Sequence, residues 1–127
     1  MKAGIVASVA AGGAIGSVAR LFVSTIQNPT WTGFPYGIFL VNVTGGFVMG
    51  VLTELLALKF NVSPEVRAFL TTGIMGGYTT FSTFSLESAL LIQRGAYITA
   101  SGYIIGSAIL SIAALFCGLW LVRALYG

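Results

Sequence analysis

The chain has 127 residues, of which 57% are hydrophobic and 7% charged, with a net charge of +3 and a mean hydropathy of +0.97. A soluble domain carries roughly 25% charged residues, so this composition predicts an integral membrane protein with room for about four spans of about 20 residues and almost nothing outside the bilayer. It excludes a soluble catalytic or nucleic-acid-binding domain, and the cations at span ends read as interface anchors.

The first apolar run, 3–26, follows Met1-Lys2 and begins AGIVASVAAGGAIGSVA. It starts like a signal peptide, but it continues through Arg20 and further spans follow, so it reads as a retained first helix. Nothing in it marks an organelle, which makes a bacterial inner membrane the default location. The connection QNPTWTGFPY supplies helix stops and gathers Trp31, Phe34, Pro35 and Tyr36, as an aromatic belt at the headgroups would.

The second run, 37–58, ends near Glu54, an acid at interfacial depth. KFNVSPE then leads to the third run, 66–93, where Ser63 suits an N-cap, Pro64 the first helical position and Glu65 the first turn. Arg94-Gly95 turns the chain into the fourth run, 96–122. That run holds Cys117, a lone thiol that reads as core filler; the absence of His excludes soft-ligand metal sites. Short connections make neighbouring spans antiparallel.

Each run carries a Gly-xxx-Gly pair: Gly12 and Gly16, Gly46 and Gly50, Gly73 and Gly77, Gly102 and Gly106. Small residues four apart let helix backbones approach in lipid, so a compact, self-associating bundle is predicted. Lys2, Lys59, Arg67 and Arg123 fall on one side, Arg20 and Arg94 towards the other. That bias is small under the positive-inside rule, so insertion in both orientations, and an antiparallel homodimer, follow naturally.

Polar groups at bilayer depth cost free energy unless they are paired or face a watery path, so those inside the runs carry the functional reading. The third run contains GGYTTFSTFSLE, residues 76–87, near its middle. Gly76-Gly77 and Thr79-Thr80 all weaken a helix. Two readings stand: non-helical backbone whose carbonyls suit a hard cation and whose amides meet an anion, or a continuous helix whose hydroxyls bond back to earlier carbonyls. Phe81 and Phe84 share a face if helical, either as ordinary packing or as electropositive ring edges along an anion route.

Asn42 offers amide donors and an acceptor inside the second run, as glue between helices or as a pore lining. On the fourth run Tyr103, Ser107 and Ser111 make a ladder of hydroxyls on one face. Glu87 is the deepest acid, about seven residues or roughly 10 Å past the midpoint of the third run, either a proton or cation site or a partner for Arg94 or Arg20. Arg20 reads as structural, snorkelling or binding helix-end carbonyls.

Taken together, GGAIGSVAR, VNVTGG, TTGIMGGYTTFSTFSLE and the serine pair of the fourth run resemble the Fluc, or CrcB, family of fluoride channels over essentially the whole chain. The resemblance implies an all-α membrane protein of four transmembrane helices, the third broken at mid-membrane, forming one channel domain and an antiparallel dual-topology homodimer. Two narrow fluoride pores, each lined by both subunits, are implied. The carbonyls of Gly76 and Thr79 from both chains would hold a central structural sodium ion.

By the same resemblance Phe81 and Phe84 match the pore phenylalanines, Asn42 the pore asparagine, and Tyr103, Ser107 and Ser111 the polar track. Glu87 matches an acid near the pore and Arg20 an arginine at the end of the first helix. Leu21, where the family has Trp, and Leu110, where it has Gly, depart from the pattern without removing a pore-lining group.

The implied activity is passive export of fluoride, with no chemical step and no enzyme. Asn42 amide protons, hydroxyls such as those of Thr80, Ser82 and Thr83, and the ring edges replace the ion's water, while the lack of a mid-span cation keeps binding weak enough for release. Two rivals use the same composition. A proton-coupled multidrug transporter of four spans needs an acid in the first span, which is missing; a scaffold protein leaves the central polar groups unexplained.

Overall fold

The computed structural model describes residues 2–25 and 33–127. In chain order these form α1 (Ala3–Ser24), α2 (Tyr36–Leu58), α3 (Pro64–Ala68), a π-helical stretch (Phe69–Met75), α4 (Gly76–Tyr78), α5 (Ser82–Gln93) and α6 (Tyr97–Tyr126). No strand occurs among the described residues. Trp31 of the predicted aromatic belt lies outside them.

Helices α1, α2 and α6 are each long and apolar enough to cross a membrane. At 1.5 Å per residue, the 22 residues of α1 reach about 33 Å and the 30 of α6 about 45 Å, against a hydrocarbon core of about 30 Å. The segment from α3 to α5 covers the third predicted run in pieces. Large apolar side chains such as Phe22 and Ile98 lie exposed on the outer faces. In water this would be unstable; in lipid it is the ordinary surface, and the chain is a membrane protein.

Local chemistry sets the ends. Ser63 Oγ accepts the Val66 N–H at 3.2 Å, with Pro64 as the first helical residue, which satisfies one of the amides a helix start leaves open. At the turn after α5, Gly95 has φ +75°, a conformation that glycine takes without strain. Ala96 N–H reaches Leu91 O and Gly95 N–H reaches Ile92 O, the paired closure of a Schellman turn. The fourth run, predicted to end at 122, continues as helix to Tyr126. Beyond Val122, Arg123 Nη2 meets Glu54 Oε2 at 3.1 Å and Lys59 Nζ lies 4.4 Å from the centre of the Tyr126 ring.

The bundle is two tight helix pairs laid side by side: α2 on α6, and α1 on the π-helical stretch and α4. Three of the four glycine pairs make these contacts. A Cβ on Gly46 would lie 2.6 Å from Ser111 O, and one on Gly50 would overlap Leu115 O. Gly12 and Gly16 likewise face the backbone of Phe69, Gly73 and Ile74, and a Cβ on Gly77 would lie 2.6 Å from Gly13 O. Backbones thus meet directly, giving dispersion contact that bulkier residues would forfeit. The fourth pair differs, since a Cβ on Gly102 would meet nothing within 4 Å and one on Gly106 only the Phe39 ring at 3.8 Å.

Candidate functional site

The site forms where helical hydrogen bonding stops after Tyr78 and resumes at Ser82. Thr79 closes the first part, its N–H and its hydroxyl both donating to Met75 O, at 3.0 Å and 2.9 Å. Its own backbone then turns to an extended conformation, φ −82° and ψ 156°.

Thr80 N–H would reach Gly76 O in a continuous helix. Instead it donates to Asn42 Oδ1 at 3.0 Å, while Asn42 Nδ2 donates to Thr80 O at 3.1 Å. Because a backbone N–H can only donate and a carbonyl only accept, this reciprocal pair fixes which way round the amide sits. Thr83 N–H would close on Thr79 O, but Thr80 Oγ1 accepts it at 3.2 Å and so caps α5 from one residue further out.

Two carbonyls are thereby released. Gly76 O and Thr79 O accept no hydrogen bond among the described residues. Neutral carbonyl oxygens are hard donors, and two of them freed beside one turn fit the sodium ion that the resemblance implies. No cluster of acids, Cys or His able to hold a metal occurs among the described residues.

Beside the interruption lies an open cavity of about 410 Å³, bounded by α2, α6 and the stretch from Met75 to Phe84. Asn42, Thr79, Thr80, Ser107 and Ser111 supply its polar wall, Phe81 and Phe84 its aromatic wall, and Met49, Met75 and Leu115 line the rest. No charged side chain lines it. Tyr103 Oη, Ser107 Oγ and Ser111 Oγ are buried and meet no hydrogen-bond partner among the described residues. A buried hydroxyl without a partner costs about 1–3 kcal/mol, so each of these three is a donor whose proton the described residues leave unused.

The aromatic rings run in file. Phe81 and Phe84 have centroids 5.6 Å apart, Phe84 and Tyr103 5.2 Å, and Tyr103 meets Phe34 edge-on at 5.5 Å. Phe81 is 78% exposed at one end, whereas Tyr103 is fully buried. Gly76 and Ser82 are exposed, and Thr83, Glu87 and Arg20 are half-buried; none of these five lines the cavity. Ser82 Oγ stays close to Thr80 Oγ1, at 3.4 Å.

The family described as "CrcB-like protein, Camphor Resistance (CrcB)" matches residues 7–119. The chain belongs to the CrcB-like family. Similar proteins of this family include one from Nitrobacter winogradskyi, 46% identical over 127 residues and covering 98% of this chain and all of the relative. Another, from Caulobacter vibrioides, is 51% identical over 123 residues, covering 93% and 94% of the two chains. A third, from Agrobacterium fabrum, is 48% identical over 122 residues, covering 95% and 98%. Each of these three relatives bears the name fluoride-specific ion channel FluC.

This CrcB-like chain also brings to the site groups that its sequence pattern did not single out. Phe34 was assigned to a headgroup belt, yet its ring packs on Tyr103. Thr44 on α2 and Tyr78, the last helical residue before the interruption, meet through their hydroxyls at 2.8 Å. Their signal in the sequence was only that each is a polar group close to a more conspicuous one, Asn42 and Thr79.

Proposed function

We infer that this chain is a fluoride-selective channel that lets fluoride leave the cytoplasm down its electrochemical gradient. The observation that carries the reading is the cavity wall: an amide, hydroxyls and phenyl rings gathered without one formal charge. Fluoride holds its water tightly, so a pore must replace that shell with many donors. It must also let go, which neutral donors permit and a buried Lys or Arg would not. The names of the three relatives, which cover more than nine-tenths of the chain, support the same ion.

Each donor has a part. Asn42 spends one amide proton on Thr80 O, and the other is available to the ion. Ser107, Ser111 and Tyr103 continue the donor line along α6, and the edges of Phe81 and Phe84 pass the ion between them. Thr80, Ser82 and Thr83 provide hydroxyls at the interruption, and Glu87 sits near the pore mouth. Arg20 is structural, at the end of the first helix.

The working unit is an antiparallel, dual-topology homodimer with two pores, each lined by both subunits. Supporting this are the small charge bias across the spans and the exposure of the Phe81 ring beside a cavity open on one side. The segment from α3 to α5 is the third transmembrane helix, broken at mid-membrane, within a single four-span channel domain in the inner membrane. Gly76 O and Thr79 O, from both subunits, would hold a structural sodium ion. When bound, sodium supplies positive charge that offsets the released carbonyls.

The test is efflux from liposomes holding the purified protein, fluoride against chloride, repeated with Phe81→Ile and Asn42→Asp. Fluoride efflux far above chloride, lost in both variants, is the expected result. Efflux that does not distinguish the two ions, or that survives both substitutions, contradicts the reading.

A further inference from the structure

We propose that Thr44 and Tyr78 are a positioning pair that locks the interruption against α2, holding Thr79 and Phe81 in the orientation the pore needs; the functional half of this rests on the channel reading above. The direction of their bond can be worked out from proton counting. Thr44 has one hydroxyl proton, and it is committed to Leu40 O at 2.6 Å. In the 2.8 Å contact between the hydroxyls, Tyr78 therefore donates and Thr44 accepts.

A second observation stands independently of that bond. A Cβ on Gly45 would lie 3.2 Å from Tyr78 Cδ2 and would overlap the Thr79 methyl group. The phenol ring and the Thr79 side chain thus pack against α2 where it has no side chain. Asn42 grips Thr80 through both ends of its amide. Residues 78, 79 and 80 are accordingly held at three consecutive points by 44, 45 and 42 of one helix.

The mechanical consequence concerns the turn at Thr79. Its extended ψ swings everything after it, including the Phe81 ring, about a single bond. Asn42 fixes the side downstream of that bond. Among the described residues, only Tyr78 ties the side upstream to α2 through a polar contact. A pivot held on one side can rotate; held on both, it cannot.

Tyr78→Phe and Thr44→Val each delete the hydroxyl bond while keeping shape, and they delete it from opposite partners, so a misfolded variant leaves the other to decide. Hydrogen–deuterium exchange of residues 79–84 in purified protein reads the lock without any assumption about transport. The amides of Thr80 and Thr83, which depend on the turn, are expected to exchange about five- to ten-fold faster in either variant, the change that loss of one hydrogen bond produces. The double variant should be no faster than either single one, and Thr44→Ser should restore wild-type exchange. In liposomes, fluoride efflux should fall by a similar factor and recover in Thr44→Ser. Unchanged exchange in both single variants overturns the lock. Faster exchange with unchanged fluoride efflux overturns its role in the pore, and a wild-type protein that passes no fluoride sinks the channel reading while the exchange data still judge the lock.

Discussion

Asn42 uses both ends of one amide on the main chain of one residue, Thr80. Replacing it with Ala leaves the Thr80 N–H and carbonyl without these partners, at about 1–3 kcal/mol each. Asn42→Asp is expected to be worse for conduction, since a carboxylate cannot donate to Thr80 O and puts negative charge on the wall of the proposed fluoride path. Asn42→Ala should lower the thermal midpoint of the purified protein, and Asn42→Asp should abolish fluoride efflux as well. In the sequence, Asn42 was legible as an amide in an apolar span but not as the partner of Thr80, because the two lie 38 positions apart and only the tertiary fold brings them together. Thr79 and Thr80 were legible as weak helix formers. Which carbonyls they release, those of Gly76 and Thr79, follows only from the family resemblance, because helix propensity does not say where each N–H goes instead.

At the scale of helices, glycine spacing carried the packing well and its limits equally clearly. Gly16 faces the backbone of Ile74, whereas a Cβ on its neighbour Gly13 would meet open space. Gly16→Ala must push α1 away from the π-helical stretch, at roughly 1–3 kcal/mol. Gly13→Ala should be neutral or stabilising by up to about 1 kcal/mol through helix propensity. Thermal unfolding of the two variants in detergent checks the contrast; equal losses would mean that close backbone approach is not what holds α1. Gly102 and Gly106 satisfied the same spacing rule without a backbone neighbour, because the rule registers small residues and not what faces them.

The clasp between α2 and α6 escaped the sequence for the opposite reason. Glu54 read as an interfacial acid, yet its side chain is 9% exposed and paired with Arg123, itself 65% exposed. Arg123→Met strands a buried carboxylate, while Glu54→Gln removes the charge that needs a partner. The arginine variant should therefore lose more stability, by an amount between the roughly 0–1 kcal/mol of exposed pairs and the 3–5 kcal/mol of buried ones. A larger loss in Glu54→Gln would contradict this assignment.

For the whole molecule, composition alone was enough to read a membrane protein, since exposed apolar faces need a lipid solvent. Assembly was less legible: one chain presents a cavity with one open side and an exposed Phe81 ring, and the sequence has no direct signal for what closes it. If released carbonyls of two subunits share a sodium ion, replacing sodium with potassium should raise the monomer fraction on dilution, measured by cross-linking, and Gly76 and Thr79 lie where that dependence originates. The central claim is that uncharged dipoles select and pass fluoride without coupling to another ion. Its most direct test is the reversal potential of the reconstituted protein in a planar bilayer, with a ten-fold fluoride gradient, equal chloride on both sides and a superimposed pH difference. A fluoride channel of this kind reverses at the fluoride equilibrium potential, about 59 mV in magnitude for a monovalent ion, whatever the pH difference. A reversal near zero, or one that moves with the proton gradient, would contradict it.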